Sequence, residues 1–212
     1  NISGDKTVNG FSNQSHNWIV KINLNSEILW QKAFGGSIGE LNNNLVSTND
    51  NGFLISNTSS SNISGNKTEN SRGESDYWLV KIDEIGNIEW QKTIGSTDTD
   101  LLSDMIITQE NDILIGGTSA GLISGDKTVA SNGLSDFWIL KLNSTGDILW
   151  QKSIGGNDQE TLYRMSKTTD GNYVLQVQGI NGNVSPTLFI EPYNYREYSL
   201  DFREICHKYL DN

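Results

Sequence analysis

The stretch that decides the fold spans residues 136–152 and reads Asp136-Phe137-Trp138-Ile139-Leu140-Lys141-Leu142-Asn143-Ser144-Thr145-Gly146-Asp147-Ile148-Leu149-Trp150-Gln151-Lys152. Its aromatic and basic positions occur three times at intervals of 60 residues, as Trp18, Trp78 and Trp138, as Trp30, Trp90 and Trp150, and as Lys21, Lys81 and Lys141. A fixed period of this length indicates a repeat architecture, in which neighbouring units bury each other's apolar faces.

The first part of this stretch predicts a strand at 17–23, 76–83 and 136–143. In the second copy Trp78 and Val80 alternate with Tyr77 and Leu79, so both faces of the strand are largely apolar. A strand of this kind is typical of a sheet that lies between two other layers. The six tryptophans of the repeat are therefore predicted to pack in the interior between sheets and not to form exposed stacking platforms.

Three more strands complete each repeat. A turn that carries Gly86 or Gly146, and Ser26 in the first copy, leads into the strand at 88–94 and its equivalents. A third strand is predicted at 41–48, 101–108 and 161–168. A turn rich in Asn, Asp and Gly then leads into a fourth strand that begins at Phe53, Ile113 and Tyr173.

Four short antiparallel strands per repeat predict an all-β fold, a β-propeller-like array of four-stranded antiparallel blades. The chain holds about 3.5 repeats of 60 residues. The repeat region is predicted at 1–182, with repeats at about 1–61, 62–121 and 122–182. A two-sheet sandwich also uses short strands, but it does not require two tryptophans to be copied so strictly. Because propellers usually have about 4 to 8 blades, the chain is expected to be either a piece of a larger propeller or a small one completed by its tail.

Residues 183–212 form a divergent C-terminal tail that is predicted to pack on the repeat region. It holds both prolines and a short strand at 187–190. Phe202, Ile205, Cys206, Tyr209 and Leu210 follow a helical spacing, which predicts a short amphipathic helix. This helix is expected to cover an exposed strand edge or one end of the array, with docking to a partner as the alternative.

Composition excludes several kinds of partner. The formal charge of −11 disfavours nucleic acid, because an acidic surface repels phosphates. Apolar runs are too short for membrane insertion. Cys206 is the only cysteine, and the two histidines, His16 and His207, lie far apart in the sequence, so neither a disulfide nor a zinc site is expected. The chain begins inside a repeat, which suggests a mature product or an excised fragment.

The repeat resembles those of a known group of proteins. Three of its motifs are similar to those in repeats of secreted and surface proteins of Bacteroidetes. They are Asp-(Tyr/Phe)-Trp-(Ile/Leu)-(Val/Leu)-Lys at 76–81 and 136–141, Gly-x-Ile-x-Trp-Gln-Lys at 86–92 and 146–152, and Gly-Gly at 155–156. Those proteins often carry a type IX secretion sorting domain. The resemblance covers residues 1–180 and implies a β-propeller-like fold, export to the cell surface or the medium, and no defined activity.

Strand alternation places the longest loops together at one end of each blade. The Ser-Gly-(Asp/Asn)-Lys-Thr loops and the short loops after 34, 94 and 154 share this end, whereas the opposite end carries only tight turns. We therefore predict that a ligand binds on the long-loop face. The candidate ligand-binding residues are Asp5, Lys6, Asn66, Lys67, Asp126 and Lys127. The alternative is that these residues form a structural Asx turn with an exposed lysine. The repetition of the same residues in every copy favours this alternative.

Acidic residues recur on the same face. Oxygen ligands of this kind suit Ca²⁺, which is the only cofactor that the sequence suggests. The candidates are Glu40, Asp98, Asp100, Asp158 and Glu160. The alternative, favoured because no regular calcium-loop motif accompanies them, is that these acids cap turns by accepting backbone N–H bonds.

The sequence thus favours a non-catalytic, secreted or cell-surface module that binds a protein or a glycan. A structural spacer of a larger surface protein is the alternative, in which case further repeats of the same parent protein are its partners. A propeller-type glycan hydrolase is the least favoured hypothesis. Neither a Ser-His-Asp nor a Cys-His set is apparent, and the arginines do not occupy equivalent places.

Overall fold

The computed structural model describes residues 4–179 and 188–190, and this part of the chain is all-β. The strands are β1 (Asn17–Ile22), β2 (Ile28–Phe34), β3 (Glu40–Ser47), β4 (Phe53–Ser59), β5 (Asp76–Ile82), β6 (Ile88–Ile94), β7 (Asp100–Ile107), β8 (Ile113–Ser119), β9 (Asp136–Leu142), β10 (Ile148–Ile154), β11 (Glu160–Lys167), β12 (Tyr173–Gly179) and β13 (Leu188–Ile190). The predicted strands are confirmed, most of them to within one or two residues.

These strands form four antiparallel sheets along the chain. The first sheet is β1–β2, the second is β3–β4–β5–β6, the third is β7–β8–β9–β10, and the fourth is β11–β12–β13. The second and third sheets are the predicted four-stranded units in sequence order. Within the described residues the first and fourth sheets are not paired with each other.

The sheets pack face to face because their middle strands are apolar on both sides. Every residue of β5 is buried. One face of the second sheet packs against the first sheet around Phe34 and Trp78, and its other face packs against the third sheet around Tyr77 and Trp138. A further cluster joins the third sheet to the fourth. The core is therefore a series of layers between consecutive sheets.

The first strands of the third and fourth sheets lean over the sheet that precedes them. Strand β7 contacts β3, β4 and β5 of the second sheet, and β11 contacts β7, β8 and β9 of the third. Each of β3, β7 and β11 also carries a register shift, between Leu41 and Asn44, between Leu102 and Asp104, and between Leu162 and Arg164. Such bulges bend a strand and re-aim its side chains.

Tight turns occupy one end of the sheets. The turn between the third and fourth strand of a unit needs a left-handed residue, which Gly86 (φ 83°) and Gly146 (φ 84°) supply, whereas Ser26 adopts φ 66° in the first sheet. At the other end, Asp100 N donates to Ser75 O at 2.7 Å, which joins a long loop to a short one. The predicted division into a long-loop end and a tight-turn end is thus confirmed.

The burial of the tryptophans differs from the sequence prediction. Trp18, predicted to be a core residue, is 43% exposed, because no described sheet lies against its side of β1. Trp78 and Trp138, its equivalents, are fully buried, and Trp30, Trp90 and Trp150 are half-buried. The predicted strand at 187–190 is present as β13, whereas the predicted helix at 202–210 lies outside the described residues.

Nowhere in residues 4–179 or 188–190 is there a helix long and apolar enough to cross a membrane.

Candidate functional site

A glutamine of the Trp-Gln-Lys motif holds each long loop against its own sheet. Gln91 Oε1 accepts hydrogen bonds from Trp78 Nε1 at 3.1 Å and from Thr68 N at 3.1 Å, and Gln91 Nε2 donates to Asn66 O at 2.8 Å. Gln31 and Gln151 make the same three bonds in their own repeats. These loops are therefore fixed by side-chain bonds although they contain no long strand.

The lysines predicted to bind a ligand do not face solvent. Lys127 is 1% exposed, and its Nζ donates to Ser119 Oγ, Gly121 O and Ser131 Oγ, each at 2.8 Å. Lys67 is 2% exposed and donates to Ser61 O at 2.6 Å. Burial lowers the pKa of Lys67 to about 8 and lowers that of Lys127. Both ammonium groups are enclosed by their own loops, so neither is placed to meet a ligand from solvent.

Lys6 lies in a more open environment than its two equivalents. It is half-buried, and its Nζ lies 5.4 Å from the centre of the Trp18 ring. Lys127 Nζ lies at a similar distance, 5.7 Å, from the Trp138 ring. Lys6 and Lys127 therefore both lie over a tryptophan ring, but only Lys127 is enclosed by its loop.

The residues before these lysines join neighbouring sheets. Asn66 N donates to Gly35 O at 3.0 Å, and Asn66 Oδ1 accepts from Gly35 N at 3.2 Å. Asp126 repeats both bonds with Gly95. We call this pair of bonds the glycine clasp. The polar groups of Asn66 and Asp126 therefore form hydrogen bonds between sheets, whereas Asp5 is exposed.

The acids considered for calcium accept backbone N–H bonds from the short loops. Glu40 accepts from Gly36 N at 2.9 Å, Asp100 from Ser96 N at 2.6 Å, and Glu160 from Gly156 N at 3.0 Å. This is the geometry of turn capping. The Asp98 side chain is exposed and Asp158 is partly exposed. In the part of the chain described, no group of three or more His, Cys, Asp or Glu side chains is placed to hold a metal ion.

Each capping acid faces a second residue that lies 24 positions earlier in the sequence. We call the place where a capping acid meets this residue a junction. In the first junction the residue is a histidine, and His16 Nδ1 lies 3.1 Å from Glu40 Oε2. In the second junction it is an acid, Asp76, which faces Asp100, and in the third it is Asp136, which faces Glu160. Glu160 Oε2 and Asp136 Oδ1 both lie within 2.5 Å of the place that a Gly155 Cβ would take. Because the glycine that follows β2, β6 and β10 has no side chain, it leaves room for the capping acid and the residue that faces it.

The acid pair of the second junction is an unusual electrostatic environment. Asp76 and Asp100 are both fully buried, and the Oδ1 atom of each has no hydrogen-bond partner among the described residues. Burial raises the pKa of Asp76, and repulsion from Asp100 raises it further, while the bond from Arg72 N opposes the shift. Burial also raises the pKa of Asp100. The pair therefore takes up a proton more readily than two exposed carboxylates do.

An open cleft lies elsewhere, along the first strands of three successive sheets. It has a volume of about 390 Å³. Pockets that hold small ligands have volumes of roughly 300 to 1,000 Å³. We call it the axial cleft. Its lining includes Asn44 of β3, Leu101 and Ser103 of β7, and Tyr163 and Arg164 of β11.

The bulges aim different side chains into the axial cleft from equivalent positions. Ser103 and Tyr163 are equivalent in the repeat, as are Asn44, Asp104 and Arg164. Arg164 is 65% exposed, and its Nη1 lies 3.8 Å from Asp104 Oδ1. Tyr163 is 48% exposed, and its hydroxyl lies 2.5 Å from Gln178 Oε1. The repeated strands therefore form one cleft, and the side chains that line it differ from copy to copy.

Sequence reasoning placed the site on the long loops and missed the axial cleft. Leu102, Leu162 and Met165 on β7 and β11 follow an apolar pattern that predicts burial, and the bulge that turns Tyr163 outwards has no turn-forming residue to signal it. The only available signal was the difference between Ser103 and Tyr163 at the same repeat position. Repeats conserve what the fold needs, so a position where the copies differ is a candidate for function.

Comparison with known proteins adds little to this geometry. Neither a protein-family model nor a curated protein matches the chain. Among solved structures, the chain is similar to Hadza microbial sialidase Hz136, with a TM-score of 0.47 and 12% sequence identity. The similarity covers 74% of this chain but only 38% of that protein. A similarity this distant carries no functional argument. The functional hypothesis therefore rests on the axial cleft.

Proposed function

We propose that this chain is a non-catalytic β-propeller module, secreted or displayed at the cell surface, that binds a glycan or a protein through the axial cleft. The propeller assignment rests on the stacking of four-stranded sheets, and the location rests on the similarity of the repeat to those of exported proteins. The observation that carries the binding role is the axial cleft itself, whose lining differs from copy to copy.

The exposed side chains of the axial cleft fit a sugar. The exposed ring of Tyr163 offers an apolar face for the C–H groups of a pyranose, and its hydroxyl gives that face a polar rim. Arg164 offers several N–H donors in a fixed plane. Ser103 and Thr161 add hydroxyl groups to the same lining. A protein segment that carries an aromatic or acidic side chain is the second class of ligand for these groups.

A structural spacer is the second candidate function. It is favoured by the identical roles of Gln31, Gln91 and Gln151, which serve the fold in every repeat. A spacer needs these bonds but does not need an open cleft with an exposed tyrosine and arginine. The two functions therefore differ in what they require of Tyr163 and Arg164.

The test is binding of the purified chain to a glycan array and to extracted surface proteins, followed by titration calorimetry with the best ligand. Tyr163→Ala and Arg164→Ala are expected to weaken that binding at least tenfold, whereas Lys152→Ala, an exposed cation away from the axial cleft, is expected to leave it unchanged. If no ligand binds, or if both cleft variants bind as tightly as the natural chain, the spacer function is the better account.

Calcium remains part of the proposal as a structural ion of the long-loop end. Glu40, Asp98, Asp100, Asp158 and Glu160 are the candidate ligands, and the Oδ1 atom of Asp100 has no hydrogen-bond partner among the described residues. Thermal melting with and without a chelator tests this. A fall in Tm with the chelator that added Ca²⁺ reverses supports the ion, and an unchanged Tm removes it.

A further inference from the structure

The long-loop end presents large apolar side chains that the fold does not bury. Ile63 is 61% exposed and Ile123 is 62% exposed. They occupy the same position of the repeat, directly before Ser-Gly-(Asn/Asp)-Lys-Thr. Each lies in the loop between the second and third strands of a complete sheet, β4–β5 and β8–β9, so its exposure is not due to a missing strand. An apolar residue that is kept in both sheets and buried in neither has the chemistry of a contact surface.

Hydrogen bonds fix the backbone next to these isoleucines. Ser37 N donates to Ser64 Oγ at 2.9 Å, and Thr97 N donates to Ser124 Oγ at 3.0 Å. Each of these two serines also forms a pair of backbone bonds with the lysine three residues later. The segment that carries each isoleucine is therefore held against the short loop that leads out of the preceding sheet. A side chain on a fixed backbone loses little conformational freedom when it binds a partner.

Two further apolar residues extend this surface. Ile38 is 50% exposed, and its N and O atoms each form a hydrogen bond of 2.9 Å with Ser61 Oγ, at the start of the loop that carries Ile63. Leu122 directly precedes Ile123 and is 69% exposed. We call Ile38, Ile63, Leu122 and Ile123 the loop patch. Single exposed apolar residues are common, but four at one end of packed sheets, two of them repeated, form a candidate binding surface.

Exposed acids lie beside the loop patch. Asp98 follows Thr97, the residue bonded to Ser124, and its side chain is exposed. Glu74 is also exposed, and its Oε2 accepts from Thr99 Oγ1 at 2.8 Å, which places it on the same short loop. Among residues 4–179 neither acid forms an ion pair with a basic side chain. Both carboxylates are therefore available to a positive partner.

The basic groups of the same loops do not balance these acids. Lys67 and Lys127 are enclosed by their own loops. Arg72 is already paired, with its Nε 3.0 Å from Asp126 Oδ2 and its Nη2 3.7 Å from Glu69 Oε2. The loop patch is therefore an apolar surface in negatively charged surroundings.

We propose that the loop patch docks a basic amphipathic segment of a partner protein. The aliphatic side chains of that segment pack on Ile63 and Ile123, and its lysines or arginines face Glu74 and Asp98. Amphipathic helices bind apolar surfaces in this way, and charge complementarity selects the partner. The loop patch shares no residue with the axial cleft, so this contact goes beyond the function proposed above and does not depend on it.

Charge disfavours other occupants of the loop patch. Nucleic acids and anionic lipid surfaces carry the same sign as Glu74 and Asp98 and are repelled. A second copy of this chain carries a formal charge of −11 and is repelled as well. A neutral glycan gains nothing from the exposed acids that surround the isoleucines. A segment that is both cationic and apolar uses both features of the surface.

Titration calorimetry of the full chain with a synthetic peptide tests the proposal. The peptide is a helix-forming sequence with leucines along one face and lysines along the other, and it is compared with a version in which every lysine is replaced by glutamate. The lysine peptide is expected to bind, and to bind more weakly at high salt because salt screens the charges. The glutamate peptide is expected not to bind. Absence of binding by the lysine peptide, or equal binding of both peptides, overturns the proposal.

Substitutions show whether the loop patch is where the peptide binds. The double variant Ile63→Ser/Ile123→Ser is expected to bind the lysine peptide about tenfold more weakly, because it removes the central apolar contacts. Ile85→Ser is the matched control, since Ile85 is 56% exposed but lies at the tight-turn end, and it should bind like the natural chain. Tm should stay nearly unchanged in both variants, because all three residues are exposed.

Amide chemical shifts of the natural chain locate the peptide without any substitution. Shift changes are expected around Ser64 and Ser124, next to the two isoleucines. Shift changes confined to the tight-turn end, or equal affinities of the double variant and Ile85→Ser for the lysine peptide, contradict the loop patch as the docking surface.

Discussion

The first and second sheets carry the same sequence pattern but have different surroundings. Trp18 and Trp78 occupy the same place in the repeat and make the same bond to a glutamine, yet one is 43% exposed and the other is fully buried. The lysines differ as well. Lys81 lies within 2.9 Å of Asp50 and 2.6 Å of Glu89, whereas Lys21 Nζ donates to the backbone carbonyl of Glu84.

This comparison separates what a repeat specifies from what its neighbour supplies. Strand pairing, turn geometry and the glutamine bonds are found in both sheets, so they belong to the repeat itself. Burial of the tryptophan face comes from the adjoining sheet. The second partner of the third strand, which is β4 for β5, lies in the same sheet and comes from the preceding repeat of the sequence. In repeat proteins, stability accordingly divides into a term for each unit and a term for each interface.

The largest expected difference lies between the two tryptophans. Trp78→Ala should destabilise the chain by about 3 to 5 kcal/mol, because it empties a fully enclosed site. Trp18→Ala should cost less than about 1 kcal/mol in the monomer, because much of its surface already contacts water. Urea unfolding at low protein concentration measures both values. Equal losses would mean that the two sheets have the same surroundings in solution.

The buried lysine gives a second contrast. Lys127→Met should destabilise the chain by about 3 kcal/mol, because it leaves the three oxygens that Lys127 Nζ contacts without their donor. Lys6→Met is the matched control and should change the free energy of unfolding by less than about 0.5 kcal/mol. Urea unfolding at pH 7 compares the two variants. A small effect of Lys127→Met would contradict the enclosure of this ammonium group.

The acid pair of the second junction makes the stability of the chain depend on pH. The pKa of Asp76 and Asp100 is raised in the folded chain, mainly by burial, so the folded state holds protons that the unfolded state releases. Their stabilising effect is complete below the ordinary aspartate pKa of about 3.9 and is lost as pH rises through the folded pKa. Lys67, with a pKa of about 8, stays protonated between pH 4 and 7.

Asp100→Asn tests this contribution, because it removes one of the two charges. The decline in unfolding free energy between pH 4 and 7 should be shallower in this variant than in the natural chain. Asp98→Asn, which changes an exposed acid in the same loop, should leave the slope unchanged. Guanidinium unfolding at several pH values measures the slopes, and an unaltered slope in Asp100→Asn would exclude the acid pair as its source.

The smallest expected effect concerns a turn. Ser26 adopts φ 66° where Gly86 adopts φ 83°, and a residue with a Cβ is strained in this region. Ser26→Gly should stabilise the first sheet by up to about 1 kcal/mol, and the reciprocal Gly86→Ser should destabilise the chain by a similar amount. Thermal melting of both variants shows whether each substitution raises or lowers Tm. A Ser26→Gly variant with a lower Tm would contradict this account of the turn.

Much of the fold was predictable because the sequence repeats. Two-residue alternation located the strands, and the 60-residue period fixed their order. The exposure of Trp18 was not predictable, because it depends on what lies beside β1 and not on β1 itself. The same limit applies to Lys67 and Lys127, whose surroundings are set by loop residues such as Ser61 and Ser131 with no pattern of their own.

The candidate site was less predictable than the fold. Gln91 lies next to a tryptophan on an outer strand, where a polar residue normally faces solvent, so its three bonds were not anticipated. The pairing of residues 24 positions apart was present in the sequence as His16 and Glu40, Asp76 and Asp100, and Asp136 and Glu160. It becomes meaningful only when the loops that bring the two positions together are known.

The glycine clasp has a consequence for how the chain unfolds. Each clasp ties the long loop of one sheet to the end of the preceding sheet, at Gly35 for Asn66 and at Gly95 for Asp126. A single sheet therefore cannot open without releasing bonds that hold its neighbour. Local opening should be suppressed in the second and third sheets, and amide exchange there should proceed by cooperative opening of adjacent sheets together.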